Sequence, residues 1–151
     1  MQAFPHAYTI TAVGSDDGDV ELTTDRVEHL RSASPAEFGG PGGRWSPETL
    51  LVGALGDCLV LTFRGVARAS KLPWTFLRCG VTGTLDRIDN VPQFTAFEVQ
   101  ARLEVPAGTD PERARRVLDK AEHNCLVGSS LKAPIHLVAE IEVAAECVAS
   151  R

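Results

Sequence analysis

Apolar positions along this chain follow two rhythms, and the switches between them mark its elements. Ala7–Val13 alternates loosely between apolar and polar residues and ends in the turn Gly14-Ser15-Asp16-Asp17-Gly18. Asp19–Thr24 resumes with Val20 and Leu22 on one face, and Val27–Ala33 offers Val27 and Leu30 for a third strand. A period of two is what a half-buried strand requires, because successive side chains leave opposite faces. Pro35–Gly43, with its run Gly39-Gly40-Pro41-Gly42-Gly43, is too rich in glycine for a regular element and reads as a loop.

The rhythm changes at Ser46. This residue is a good N-cap, Pro47 suits the first helical turn, and Glu48 sets a carboxylate near the positive end of the helix dipole. Leu50, Leu51, Ala54, Leu55, Cys58, Leu59, Leu61, Thr62 and Phe63 then leave little polar surface, so the helix is expected to be buried on nearly every side. Arg64, Arg68 and Lys71 reopen it to solvent, and Pro73 stops it. A helix over 46–72 runs about 40 Å at the usual rise. In a chain of 151 residues such a helix is central, with a partner subunit covering part of it.

Alternation returns in Thr75–Ile88 (Leu77, Cys79, Val81) and in Gln93–Val105 (Phe97, Val99, Ala101, Leu103), joined by Asp89-Asn90-Val91-Pro92 as an antiparallel hairpin. Thr109-Asp110-Pro111-Glu112 starts a second helix, with Ala114, Val117, Leu118 and Ala121 at helical spacing and an end near Asn124-Cys125. Ile135–Val143 is a last alternating strand. The order β-β-β-α-β-β-α-β predicts an α+β fold, an antiparallel sheet packed on a long central helix. One domain over 1–151 is expected: an N-terminal β region and Gly-rich loop (1–45), the central helix (46–72) and a β-β-α-β segment (73–151).

Composition narrows the function more than the fold. With 44% hydrophobic and 23% charged residues, the chain is an ordinary globular one. Its net charge of -5, with the charges interspersed, gives no reason to expect nucleic acid or an anionic membrane as a partner. Arg113, Arg115 and Arg116 are diluted by Asp110 and Glu112 and fit a solvated helix face. The longest apolar stretch, Leu50–Phe63, is broken by Gly53, Gly56 and Asp57 and is shorter than the ~20 residues a bilayer needs. Met1–Tyr8 lacks the cationic start and apolar run of a secretory signal, so the expected location is the cytoplasm.

Such a location changes the meaning of the four cysteines, Cys58, Cys79, Cys125 and Cys147. They form no C-x-x-C pair and no zinc spacing with histidine, so no metal and no bound cofactor is expected. Structural disulfides are rare in a reducing compartment, where a cysteine pair more often serves catalysis or sensing. Cys58 lies mid-helix, as either a small core residue or a nucleophile. Burial alone raises a thiol pKa, so a thiolate there needs a donor or a positive charge from elsewhere in the fold. Cys125 closes a helix in Glu122-His123-Asn124-Cys125 and enters Leu126–Leu131, a place where a thiol can be reached and can move.

Two segments taken together resemble the OsmC/Ohr family. Ser46-Pro47-Glu48-Thr49-Leu50-Leu51 followed by Ala54-Leu55-Gly56-Asp57-Cys58 is similar to its first signature. Ala121-Glu122-His123-Asn124-Cys125-Leu126-Val127 with Ser130-Leu131 is similar to its second. The ten-residue step from Glu48 to Cys58, the 67-residue step from Cys58 to Cys125 and the order of elements suit that family over most of the chain. The resemblance implies a thiol-dependent peroxidase reducing organic hydroperoxides or hydrogen peroxide. It also implies an intertwined homodimer, with sheets wrapped around two long central helices and active sites at the subunit interface.

Under this resemblance Cys58 is the peroxidatic thiolate, which attacks the peroxide O–O bond and becomes a sulfenic acid. Cys125 resolves it as an intramolecular disulfide, which an external dithiol then reduces. Glu48 orients an arginine that activates the thiolate. The organic-hydroperoxide branch carries that arginine in the first N-terminal turn, where this chain has Ser15 and no arginine. The OsmC branch carries it before the Pro-Glu signature. There Arg44 stands in Gly43-Arg44-Trp45-Ser46, four residues ahead of Glu48, with Arg26 and Arg31 as lesser candidates.

Two other functions compete. The arginine missing from the Ser15 turn points to a non-catalytic redox sensor or a small-ligand-binding protein of the same fold. A hydrolase or acyl transferase pairing Cys58 with His123 is the third, although no orienting group or oxyanion-hole motif accompanies it. Cys79 and Cys147 read as structural and His123 as a helix-end residue. Trp45 and Trp74 read as packing anchors flanking the long helix, with Trp45 also placed to line a hydroperoxide pocket. Phe94 and Phe97 read as core.

Overall fold

A computed structural model describes residues 3–145, so Cys147 lies outside the described residues. Three short strands, β1 (Thr11–Val13), β2 (Val20–Thr23) and β3 (Leu30–Ser32), precede the long helix α1 (Pro47–Ala69). Then come β4 (Phe76–Ile88), β5 (Val91–Val105), α2 (Pro111–His123), the single-turn α3 (Leu126–Ser129) and β6 (Ile135–Val143). The chain divides within α1 into two compact units, one through Leu51 and one from Val52.

In the first unit β1, β2 and β3 form an antiparallel meander, in register at Thr11↔Thr23 and Val20↔Ser32. The loop after it returns through a bridge between Ser32 and Trp45, with the Ala33 amide donating to the Trp45 carbonyl at 2.9 Å. Inside this loop, read from sequence as irregular throughout, Ala36–Phe38 closes one 3-10 turn. Gly40 follows it, and a Cβ there would lie 1.6 Å from the Ser34 carbonyl oxygen, so no other residue fits. The loop delivers Ser46 to the start of α1. Its hydroxyl accepts the Thr49 amide at 3.2 Å while its own amide donates to Thr49 Oγ1 at 2.8 Å, a reciprocal cap built with threonine.

In the second unit β4 and β5 pair antiparallel along their whole length, with a register shift between Thr84 and Leu85. Their turn is only Asp89-Asn90, both at positive φ (51° and 65°), so Val91 and Pro92 join the strand rather than the connection. β6 pairs parallel to β5, Phe97↔Ile135 through Val105↔Val143, because α2 crosses over between them. The sheet is therefore mixed, where alternation alone suggested antiparallel pairing throughout. The α+β class with a long helix stands. The core gathers Phe97, Val99, Leu103 and Val105 of β5 with Leu118 of α2 and Leu55, Leu59 and Phe63 of α1.

α1 departs from expectation in two ways. Its buried residues are Leu55, Leu59, Phe63 and Ala67, a single stripe at four-residue spacing. Only 22% of its most apolar window is buried, and Leu61 is 52% exposed, so within one chain it is covered on one side and not on nearly all. By length and hydropathy this helix passes the test for a bilayer span, as a core helix also can. It also ends at Ala69. Lys71 takes a left-handed φ of 50°, the Leu72 amide donates to Ala67 O at 2.9 Å and the Lys71 amide to Arg68 O at 3.1 Å. This is a Schellman cap with lysine in the position glycine usually fills. Arg113 Nη2 from α2 donates to the freed carbonyls of Ser70 (2.6 Å) and Lys71 (3.1 Å).

Candidate active site

α1 carries Cys58, half-buried, and the turn after α2 carries Cys125, which is 2% exposed. α2 is seated by Ala114, Val117, Leu118 and Ala121, all buried, after a start in which the Asp110 carboxylate accepts the Glu112 amide at 3.0 Å. Cys125 is then the N-cap of α3, its sulfur accepting the Gly128 amide at 3.4 Å. Ser129 closes the turn with its amide and hydroxyl both on the Cys125 carbonyl, each at 2.9 Å. Gly128 is tightly enclosed, since a Cβ there would lie 3.1 Å from Ile135 Cδ1 and 3.5 Å from Cys125 Sγ.

These elements bring Cys58 and Cys125 into one neighbourhood, where each thiol affects the ionisation of the other. Thr62 Oγ1 stands 3.9 Å from the Cys58 sulfur on the next turn of α1. Their environments push the two thiols apart. Burial raises the Cys58 pKa, but the Val127 amide, the Cys125 thiol, the Thr62 hydroxyl and the Leu126 amide outweigh it and leave it below the ordinary value. Burial, helped by the neighbouring Cys58, pushes Cys125 up to about 11 against the Gly128 amide. The two neighbouring thiols therefore differ in direction, Cys58 shifted toward ionisation and Cys125 away from it.

Other candidate residues go elsewhere. Arg44 Nε donates to Asp19 Oδ2 at 2.9 Å, so its guanidinium meets the Asp19 carboxylate at the head of β2. Glu48 lines a cavity of about 350 Å³ with Gly18, Ser32, Ser34, Phe38 and Pro47, and its Oε2 is buried with no hydrogen-bond partner among the described residues. Cys79 lies opposite Ala101 on the hairpin, and burial pushes its thiol up to about 11. His123 Nδ1 sits 2.8 Å from Asp119 O and 3.1 Å from Glu122 Oε2, engaged by these rather than by a sulfur. Trp74 packs edge-on against Phe63 at 5.2 Å, Phe94 stacks on Phe97 at 5.0 Å, and Trp45 is 51% exposed.

Sequence reasoning took Thr62 for part of an apolar helix and overlooked the amides of Leu126 and Val127. The signal for Thr62 was its place four residues after Cys58, which puts both on one helix face. The amides had no side-chain signal at all.

Comparison with known proteins bears on the family and the fold. A family profile described as OsmC-like protein matches residues 40–140. An uncharacterised protein of Acinetobacter baylyi is 26% identical over 132 residues, 86% of this chain and 88% of its own length. An OsmC-like protein from Mycoplasma pneumoniae superposes with a TM-score of 0.79 at 17% identity, covering 92% of this chain and 99% of that one. An organic hydroperoxide resistance protein OsmC from Legionella pneumophila gives 0.71 at 24% identity, with 92% and 100% covered. The match over most of the chain, carrying both cysteine segments, places it: the chain belongs to the OsmC-like protein family.

Proposed function

We propose that the protein is a thiol-dependent peroxidase acting on organic hydroperoxides or hydrogen peroxide, with Cys58 peroxidatic and Cys125 resolving. The observation that carries this reading is the pair of neighbouring thiols, Cys58 and Cys125, whose surroundings shift their ionisation in opposite directions. A relative named for organic hydroperoxide resistance supports the substrate class. The Cys58 thiolate attacks one peroxide oxygen, the O–O bond breaks, and the leaving alkoxide or hydroxide takes a proton from water, giving Cys58–SOH and an alcohol or water. Cys125 attacks that sulfur. The S–O bond breaks, the departing hydroxide takes the Cys125 proton, and a disulfide and water result. An external dithiol returns both sulfurs to the reduced state, which suits a cytoplasmic setting.

A homodimer belongs to the same proposal. The apolar surface that α1 leaves uncovered, with Leu61 52% exposed, is the kind of face a second copy covers. Replacing Cys58→Ser is expected to abolish consumption of cumene hydroperoxide with dithiothreitol as reductant. Wild-type turnover in that variant overturns the proposal. Cys125→Ser is expected to keep one round of sulfenic acid formation while losing the disulfide seen by mass spectrometry.

One observation favours a second reading. With Arg44 held by Asp19, Cys58 oxidises without sustained turnover and the protein is a redox sensor. Steady-state turnover well above the uncatalysed rate excludes it.

A further inference from the structure

Gly65 lies inside α1, exposed, and a Cβ there would meet nothing within 4 Å among the described residues. Glycine within a helix costs stability relative to alanine, and no described residue approaches closely enough to require it. It belongs to a stripe of exposed residues, Gly53, Asp57, Leu61, Arg64, Gly65 and Arg68, on the side of α1 away from Leu55, Leu59 and Phe63. All six lie in the second unit. Their order along the helix is polar. The acid, Asp57, precedes Leu61, and the bases, Arg64 and Arg68, follow it. None of these three charged groups enters an ion pair among the described residues. A second α1, laid antiparallel with Leu61 on a twofold axis, sets Asp57 against the partner's Arg64 and Gly65. The same placement sets Gly53 against the partner's Arg68, and the symmetry repeats each contact. Acid then meets base, and a long side chain meets a glycine. A parallel second helix would instead set Asp57 on Asp57 and Arg64 on Arg64.

We propose that this stripe is a seam with a second copy of the chain, whose α1 crosses it in the antiparallel sense about Leu61. Asp57 pairs with the partner's Arg64 on both sides of the axis, and Gly65 gives the room in which the two helices approach. Charge sets the direction of the crossing, because only the antiparallel sense answers both signs. Cys58 directly follows Asp57, so the second helix passes the turn of α1 that carries that sulfur. The inference rests on the homodimer reading and adds to it the residues, the direction and the centre of the contact.

Sedimentation equilibrium on the reduced full-length protein tests the seam without peroxide, with circular dichroism checking that each variant is folded. Arg64→Asp sets acid on acid and is expected to weaken self-association about 100-fold or more, as is Asp57→Arg, which sets base on base. The double variant Asp57→Arg/Arg64→Asp restores the pairing and is expected to return to within about tenfold of wild type. Gly65→Leu places a good helix former on an exposed position, which a helix free of partners would accept. Across the seam it is expected to weaken association at least about tenfold. A wild-type dimer untouched by either charge reversal overturns this inference and leaves the homodimer reading standing. A double variant as weak as the single ones also overturns it. So does a Gly65→Leu protein that associates like wild type. A wild-type protein that stays monomeric at every concentration overturns the homodimer reading and the seam together. If a single reversal fails to fold, the double variant and Gly65→Leu carry the same decision. Loss of peroxide turnover in a variant that remains a dimer bears on the peroxidase reading alone.

Discussion

β1, β2 and β3 run three, four and three residues, and Ser32 is the one residue buried within them. β4, β5 and β6 run 13, 15 and 9 residues, and β5 buries every second residue from Phe97 to Val105. Both sheets contain antiparallel ladders with apolar alternation, so strand pairing is not what separates them. Length is. A strand of three residues presents one or two side chains to a face and cannot carry a core, whereas β5 presents five in a row. The sulfur pair, Thr62 and the turn after Cys125 all lie in the second unit, on or beside its well-buried elements, where a side chain can be held to a fraction of an ångström.

Core substitutions should separate the two sheets most strongly. Phe97→Ala, at 1% exposure, is expected to cost about 3–5 kcal/mol in urea denaturation. Val13→Ala in β1, at 59% exposure, is expected to stay within about 0.5 kcal/mol. A larger loss for Val13→Ala that grows on dilution would break the comparison, by showing that a second copy covers the meander in solution.

Arg113→Ala tests how the long unit secures the end of its helix. The guanidinium serves the Ser70 and Lys71 carbonyls at an end where a lysine holds a left-handed conformation. Its loss is expected to cost about 1–2 kcal/mol. Lys71→Gly in the same background should recover part of it by relieving the left-handed strain. No recovery would mean that Arg113 acts elsewhere.

Sequence reading did well where one residue type has one mechanism. The Ser46 cap, the Asp110-Pro111 start of α2 and the alternation of β4, β5 and β6 were legible and formed as expected. It misplaced what depends on the whole chain or on uncommon backbone choices. Lys71 and Asp89-Asn90 adopt positive φ without glycine, so the end of α1 and the hairpin turn shifted. Whether β6 runs parallel is decided by the α2 crossover, which alternation does not encode. At the site, Cys58 and Cys125 were legible as neighbours through family resemblance, while the Arg44 contact with Asp19 was not, because the two are 25 residues apart in sequence. Backbone amides are invisible to any residue-type argument.

Buried polar groups continue the contrast between the units, with smaller effects. Cys79, within the long sheet, meets burial by staying neutral. Its thiol is pushed up to about 11 from an ordinary 9.0. As pH rises past 9 the unfolded chain ionises first and binds fewer protons than the folded one, so stability is complete below pH 9 and is lost toward pH 11. Cys79→Ala should remove part of that alkaline loss, on the order of 1 kcal/mol at pH 11, in denaturation curves at pH 8 and 11. An equally steep decline in the variant would assign it to other groups.

Glu48 is the counterpart in the short unit, where the carboxylate oxygen is buried against the wall of its cavity and no donor among the described residues meets it. A buried carboxyl group costs more without a partner than a neutral amide does, so Glu48→Gln should raise stability by about 0.5–1 kcal/mol and, where no guanidinium answers the carboxylate, leave Cys58 alkylation unchanged. Thermal unfolding at two protein concentrations checks it. The opposite result would be as informative. If Glu48→Gln lowers the midpoint and slows Cys58 alkylation together, a guanidinium reaches the carboxylate in the assembled protein, and the thin meander unit is then the part of the fold that a second copy completes. If the midpoint rises while alkylation holds, the carboxylate is a cost carried by the first unit alone, and activation of the thiol belongs wholly to the second.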